Sequence, residues 1–542
     1  MGIPSYFSHI IRNYSNIIRS LKYFHDSSYQ FQHLFMDCNS IIYDAVHSIE
    51  TNNDFSLYEE QIIDSVVDKI KEYIKVIKPI NTVYIAFDGV APLAKMEQQR
   101  TRRHKTLFLS NLSFNQKENN TGNIKWNTSA ITPGTEFMNK LSCRINSEFL
   151  FKEKQYNIKN MITSTSLEPG EGEHKLFEYL RINNLVNDNI ALYGLDSDLI
   201  MLSIFHMGYC NNIYNFREAP EFIRNSLPVS VKNSNVNEPY FLDIKHLSRN
   251  ILLEMNCVDN DMYRVYDYVF LCFFLGNDFL PHFPSMNIRT HGINTLLDIY
   301  SKKIGNVPNN FLISKENRNI IWKNVRKIIK DVAEQEENFL LQEYQLRRKY
   351  DKFKFQQTTE KEKEILFQNI PILYRSQELY INPETSFWEC RYYKTLFKSE
   401  PTSNFIKDVC NNYLQGLEWV FKYYSEGCYD WQWKYNYHYP PLFKDLLHYM
   451  PHFETEFIKK QITQPLLPLT QLSYVLPIVN HNLLPKNVQE FLNKFYPHNY
   501  IKDYQFEWAF CRYFWESHPI LPNISNNDIK RWEIYYRENY KN

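Results

Sequence analysis

Seven carboxylates define the chemistry this sequence could perform: Asp37, Asp88, Glu171, Glu173, Asp196, Asp198 and Asp278. Three of these positions lie at the ends of short apolar runs with strand character. FQHLFM leads to Asp37, TVYIAF leads to Asp88, and Ile190 to Leu195 leads to the Asp196/Asp198 pair. Ligands of open parallel sheets bind outside the carboxyl ends of the strands. The pairs Glu171/Glu173 and Asp196/Asp198 are spaced i,i+2, which puts both side chains on one face of an extended segment and would splay them on a helix. Asp278 closes a very apolar helix at a Gly-Asn turn, a costly place for an acid without a partner. Separate caps and surface acids would explain any one of these residues, but not strand-end placement repeated across a domain. Converging carboxylates repel one another and raise one another's pKa values, and divalent cations relieve that repulsion. An all-oxygen ligand set selects Mg²⁺ or Mn²⁺ over Zn²⁺, and two such ions suit phosphodiester hydrolysis.

Beside the acids stands a second constellation. After Asp88-Gly89 the chain reads DGVAPLAKMEQQRTRRHK, with Pro92 where a helix begins and no further Gly or Pro until Gly122. At about 100° per residue, Lys95, Gln99, Arg102 and Arg103 fall within roughly one 100° arc. Three cations and an amide on one helix face make an anion site, and Arg forks match the oxygens of a terminal phosphate.

Alternating elements must position these groups. The sequence predicts a helix from Tyr6 to about Leu21, a strand ending at Asp37, and helices over 40–50 and 57–78. A strand over 82–87, the basic helix, a polar loop over 111–129 and a helix to about Lys154 follow. Next come a strand over 160–166, a helix to Arg181 and a strand over 190–195. This alternation implies an α/β fold with a mostly parallel central sheet flanked by helices. Strand signals thin out after Asp278-Phe279-Leu280-Pro281-His282. From about 310 the chain is helical and charged, with a long run over 324–357. A boundary near 310 therefore divides a domain over 1–310 from a mainly helical second domain over 311–542.

At 542 residues two or three domains are the prior. The formal charge is zero, so a nucleic acid would have to be held by local patches. Nine scattered cysteines with no CxxC pair indicate neither a disulfide framework nor a zinc site. No signal peptide and no apolar run of membrane length stand out. A soluble cytoplasmic protein is expected, with the nucleus as the alternative compartment.

The stretches MGIPSYF, FMDCNSIIY, AFDGVAPLAKMEQQRTRRHK, ITPGTEFM, EPGEGEHK, YGLDSDLIML and FLCFFLGNDFLPHFP resemble the 5′→3′ exoribonucleases of the Xrn/Rat type. DWQWKYNYHY (430–439) and QLSYVLP (471–477) look like that family's second region. The likeness is strong over 1–300, looser to about 480, and weak after about 485, as for the family's catalytic core alone. It implies a flap-nuclease-like fold and metal ligation by the seven carboxylates, with two ions, Mg²⁺ or Mn²⁺. It also implies that Lys95, Gln99, Arg102 and Arg103 grip the 5′-monophosphate of single-stranded RNA and exclude a cap or triphosphate. The second region would wrap the first and narrow the entrance. The implied activity is processive hydrolysis of RNA to nucleoside 5′-monophosphates in RNA decay, by a monomer with no membrane partner. Tyr43 stands where the family usually has a base-stacking His. Tyr can still stack, so processivity should persist in altered form, with either Trp431 or Trp433 as the opposing aromatic. Two alternatives differ in class. A flap-type DNA nuclease would need a Gly-rich hairpin after the last acid, where PSMNI (284–288) has none. An inactive RNA-binding scaffold would have lost a metal acid.

Overall fold

The computed structural model describes residues 2–3, 5–49, 54–114, 126–194, 196–218, 238–460 and 463–540. Most of the expected 111–129 loop therefore lies outside the described residues. Seven strands form one sheet: β1 (Ile18–Ser20), β2 (His33–Asp37), β3 (Thr82–Ala86), β4 (Asn160–Ser164), β5 (Asn189–Tyr193), β6 (Asn212–Glu218) and β7 (Pro239–Asp243), in the order β1-β7-β6-β5-β2-β3-β4. The five strands from β6 to β4 pair in parallel, while β7 and β1 complete one edge antiparallel.

Strand periodicity sorts the core into two layers. Phe35, Tyr84 and Leu192 point into one apolar cluster, and Leu34, Met36, Val83, Ile85, Ala191 and Tyr193 into the other. The second layer is closed by helices Asn39–Ser48, Phe55–Ile77 and Glu136–Phe149. The first includes helices Gly172–Asn183, Ser197–Phe205 and Arg264–Cys272, and it continues without interruption into Trp322, Val325, Tyr413, Leu417 and Trp419, beyond residue 310. Because both faces are covered, the central strands read as apolar runs rather than alternating ones.

Two expectations are corrected. The predicted helix from Tyr6 to Leu21 ends at Asn13, and Ile18–Ser20 instead pairs with β7 as an edge strand. The i,i+2 acid pairs are not extended segments. Glu171 and Asp196 sit at N-cap positions with extended backbone, and Glu173 and Asp198 lie in the first turns of the helices that follow. A helix N-terminus carries partial positive charge, so carboxylates there are favoured.

Residues past 310 are mainly helical, including Trp322–Tyr350 and Ser403–Ser425. They pin the basic helix Leu93–Phe114 from the side: Val90, Leu93 and Met96 pack with Leu472, Val475, Val488 and Trp532. Gln471 accepts from the Ala91 N–H at 3.0 Å, and the Leu93 N–H donates to the Trp431 carbonyl at 2.9 Å. Among the described residues no helix is long and apolar enough to cross a membrane.

Candidate active site

Register aligns the strand ends. Asp37 pairs with Ala86, and Ala86 with Ser164. The segments leaving this row carry Asp88, Glu171 and Asp196. Turn chemistry holds them there: Asp88 accepts from the Gly172 N–H at 2.7 Å and from Asn39 Nδ2 at 2.5 Å, and its own N–H donates to Asn39 Oδ1 at 3.0 Å. Lys175 is buried and donates to the Phe87 carbonyl at 2.8 Å and the Thr165 carbonyl at 2.9 Å, binding the exit of β3 to that of β4.

The structure brings all seven carboxylates into mutual range. Burial pushes the Asp37 carboxyl well up, and Asp88, Asp196 and Glu171 push it further. Glu173 is raised by burial and, against the pull of Lys95, by Asp198, Glu171 and Asp37. Asp198 is pushed up to about 7 by burial and by Asp278. Glu171 is raised by burial, which Lys95 only partly offsets. Asp278 moves the other way. Its burial is outweighed by Lys95 and Arg102, which hold the carboxyl below its ordinary range.

Lys95 is the counter-charge of the cluster. Its Nζ lies 2.6 Å from Glu171 Oε2 and 2.9 Å from Asp278 Oδ2. Close packing elsewhere depends on glycine. A Cβ on Gly172 would come within 2.6 Å of Asp37 Oδ1. Gly2, at φ 54°, donates its N–H to Asp278 Oδ1 at 3.0 Å.

One ammonium among seven carboxylates leaves the site over-charged, and Asp37 Oδ1 is buried without a hydrogen-bond partner. An oxygen-rich, electron-rich cluster with an orphaned oxygen fits a divalent cation. Within it, the ligand atoms of Glu171, Glu173 and His174 lie within 4.8 Å of one another. His174 was not singled out from the sequence, although it stands in the GEGEHK stretch. Burial, with Arg181 and Lys95 adding to it, keeps its imidazole neutral, and its Nδ1 is buried without a partner. Two further residues carried no sequence signal. Tyr423 donates to Glu171 Oε1 at 2.7 Å and Tyr424 to Asp198 Oδ1 at 2.7 Å, both from the end of helix Ser403–Ser425. The Tyr423 ring also stacks on His174 at 3.7 Å.

The cationic face of the basic helix borders the acids. Arg102 is exposed, and its charge reaches Asp278. Gln99 is buried and accepts from Gln471 Nε2 at 3.1 Å, which fixes its amide. Arg103 is steadied by Thr132 Oγ1 at 2.5 Å and the Ser129 carbonyl at 3.3 Å. Burial brings its pKa down to about 10, against the neighbouring Tyr43. Tyr43 is half-buried on helix Asn39–Ser48. The two tryptophan candidates separate. Trp433 is 7% exposed, stacks on Trp419 at 5.0 Å and lies against Gly416, so it is a core residue rather than a platform for bases. Trp431 is half-buried.

Two family models match the chain. "XRN 5'-3' exonuclease N-terminus" matches residues 1–218, and "Xrn1 helical domain" matches 259–378 and 384–531. The second match extends past 485, where the sequence resemblance was expected to fade. A 5′-3′ exoribonuclease 2 of Gallus gallus is 24% identical, over 98% of this chain and 69% of that protein. The 5′-3′ exoribonuclease 1 of Schizosaccharomyces pombe is 26% identical, over 98% of this chain and 48% of its own length. For that of Saccharomyces cerevisiae the figures are 25%, 90% and 40%. The chain thus spans about half or less of the two yeast proteins.

Proposed function

The chain belongs to the XRN 5′-3′ exonuclease family, and from that premise we propose that it is a processive 5′→3′ exoribonuclease. It degrades single-stranded RNA bearing a 5′-monophosphate to nucleoside 5′-monophosphates, as a monomer in cytoplasmic RNA decay. One observation carries this reading: Lys95 belongs to the cationic helix face and at the same time touches Glu171 and Asp278 of the acidic cluster. The terminal phosphate and the reacting phosphodiester are thereby held a nucleotide apart.

Asp37, Asp88, Glu171, Glu173, Asp196, Asp198 and Asp278 would hold two Mg²⁺ or Mn²⁺ ions. When bound, such ions supply an activated water and neutralise charge at the leaving oxygen. The chain's own residues do the rest. Lys95, Gln99, Arg102 and Arg103 grip the leading phosphate and fix how far the strand advances. Tyr43 and Trp431 stack on the first bases, and residues 311–542 narrow the entrance so that only unpaired RNA enters. In each cut the water oxygen bonds to phosphorus, the P–O3′ bond breaks, and O3′ gains the proton that the water gives up. The phosphate stays on the 5′ side of the next nucleotide, so the shortened RNA presents the same end again. That regeneration makes the phosphate grip compatible with repeated cuts.

One labelled RNA with a 5′-monophosphate, a 5′-hydroxyl or a cap tests the reading, each with Mg²⁺ and with EDTA. Rapid release of mononucleotides from the monophosphate alone, abolished by EDTA, is expected. Equal rates on all three ends would sink the phosphate grip, and full activity in EDTA would sink the metal role.

A further inference from the structure

The basic helix Leu93–Phe114 has a second lined face. A cavity of about 360 Å³ lies against Ala94, Glu97, Gln98, Thr101 and Lys105. None of Lys95, Gln99, Arg102 or Arg103 lines it. Asp278 and Gly2 do, so one wall is shared with the acidic cluster. The other walls come from segments 275–289, 434–439 and 509–523.

Its polar lining is unsatisfied. Gln98 Nε2 and Oε1, Asn277 Nδ2 and the Tyr439 hydroxyl are all buried without a hydrogen-bond partner, and Tyr439 is only 4% exposed. Buried amides and hydroxyls are normally paired, so four such atoms around one cavity indicate a ligand that pairs them. Together they offer amide donors, an amide acceptor and a hydroxyl that can do either, which matches the mixed edge of a nucleobase. Flat rings lie beside them: His438 and His518 stack at 4.9 Å and 17°. Most cations here are neutralised. Lys434 pairs with Glu97 at 2.7 Å and Arg289 with Glu516 at 2.6 Å. Lys105 is the exception, donating only to the Trp515 carbonyl at 2.6 Å, and burial lowers its pKa to about 8. An incoming anion would restore the ammonium. The volume is near the low end of ligand pockets, about 300–1,000 Å³, and suits one nucleotide rather than a strand.

We propose that this cavity is a product site, which receives a nucleoside 5′-monophosphate beyond the Asp278 wall as it leaves the acidic cluster. The base pairs with Gln98, Asn277 and Tyr439, and the phosphate meets Lys105. This inference rests on the exoribonuclease reading for the identity of the ligand, but its test requires no turnover.

Binding of AMP, GMP, CMP and UMP to the full chain in EDTA is measured by calorimetry, with adenosine and inorganic phosphate as further probes. Wild type should bind at least one mononucleotide saturably, at one site, and more tightly than either fragment. Tyr439→Phe, which removes only a hydroxyl, and Gln98→Leu should each weaken that binding at least tenfold without lowering the melting temperature. Arg102→Ala should leave it unchanged. No saturable mononucleotide binding would overturn the proposal, the cavity then holding water. So would binding that Arg102→Ala abolishes and Tyr439→Phe spares, which would place the nucleotide in the 5′-phosphate grip. A protein inactive on every RNA end yet binding mononucleotides through Gln98 and Tyr439 would overturn the parent reading and keep this one.

Discussion

The Tyr424 hydroxyl donates to Asp198 Oδ1 at 2.7 Å from a residue 226 positions further along the chain. Its neighbour Tyr423 does the same for Glu171 Oε1. Helix Ser403–Ser425 thus orients carboxylates that the sheet only delivers. Partners of this kind typically alter metal affinity by about 10–100-fold. Tyr423→Phe and Tyr424→Phe should each raise the Mg²⁺ concentration for half-maximal activity by about that factor, with activity restored at high Mg²⁺ and RNA binding in EDTA unchanged. A variant whose Mg²⁺ midpoint does not move would remove the orienting role.

Lys95 is poised between two carboxylates with its side chain 13% exposed. Losing one partner of a buried ion pair costs about 3–5 kcal/mol, because the remaining charge is left uncompensated. Lys95→Met should therefore destabilise the metal-free protein by about that amount at pH 8, measured by urea unfolding. Saturating Mg²⁺ should recover most of the loss by supplying the missing positive charge. An equal deficit with and without Mg²⁺ would mean that Lys95 acts through packing alone.

Crowding of the acids also sets a pH dependence. A carboxyl raised to about 7, as burial and Asp278 raise Asp198, binds its proton more tightly folded than unfolded. The resulting stability is fully present below the ordinary carboxylate range and is lost as pH rises through about 7. Asp37 and Glu173 are raised as well and act in the same direction. In EDTA the melting temperature should fall between pH 5.5 and 8, and Asp198→Asn should flatten that fall. Mg²⁺ should raise the melting temperature more at pH 8 than at pH 5.5. A metal-free melting temperature that climbs over this window would contradict the crowding.

Much of this site was legible because buried parallel strands are written as apolar runs, and the acids stand where those runs stop. Asp37 and Asp88 needed nothing more. The acid pairs were found for the wrong reason, since Glu173 and Asp198 are delivered by helix starts rather than extended segments. β6 escaped notice because only part of NIYNFRE is buried, so no run formed. β1 was hidden inside an amphipathic helical pattern, its partner β7 being more than 200 residues away. Tyr423 and Tyr424 look like core aromatics in WVFKYYS, and no local periodicity reports a contact with Glu171 or Asp198. His174 carried a signal that a search for carboxylates alone passed over.

The two tryptophans of WQW now have opposite expected fates. Trp433 is stacked on Trp419 inside the core, and truncating a buried aromatic costs about 3–5 kcal/mol. Trp433→Ala should lower stability by about that much, with processivity impaired only insofar as the protein unfolds. Trp431 is half-buried, and its backbone anchors it through Leu93 and Thr463, so its ring can be removed without opening the core. Stacking on a base is worth about 1–3 kcal/mol. Trp431→Ala should therefore keep the wild-type melting temperature and shorten the run of nucleotides released per binding event by roughly 5- to 150-fold. A single-encounter assay with a competitor trap reads that run length directly. A folded Trp431→Ala protein with an unchanged run would leave Tyr43 without an opposing ring, and would move the search for one to another half-buried aromatic at the entrance.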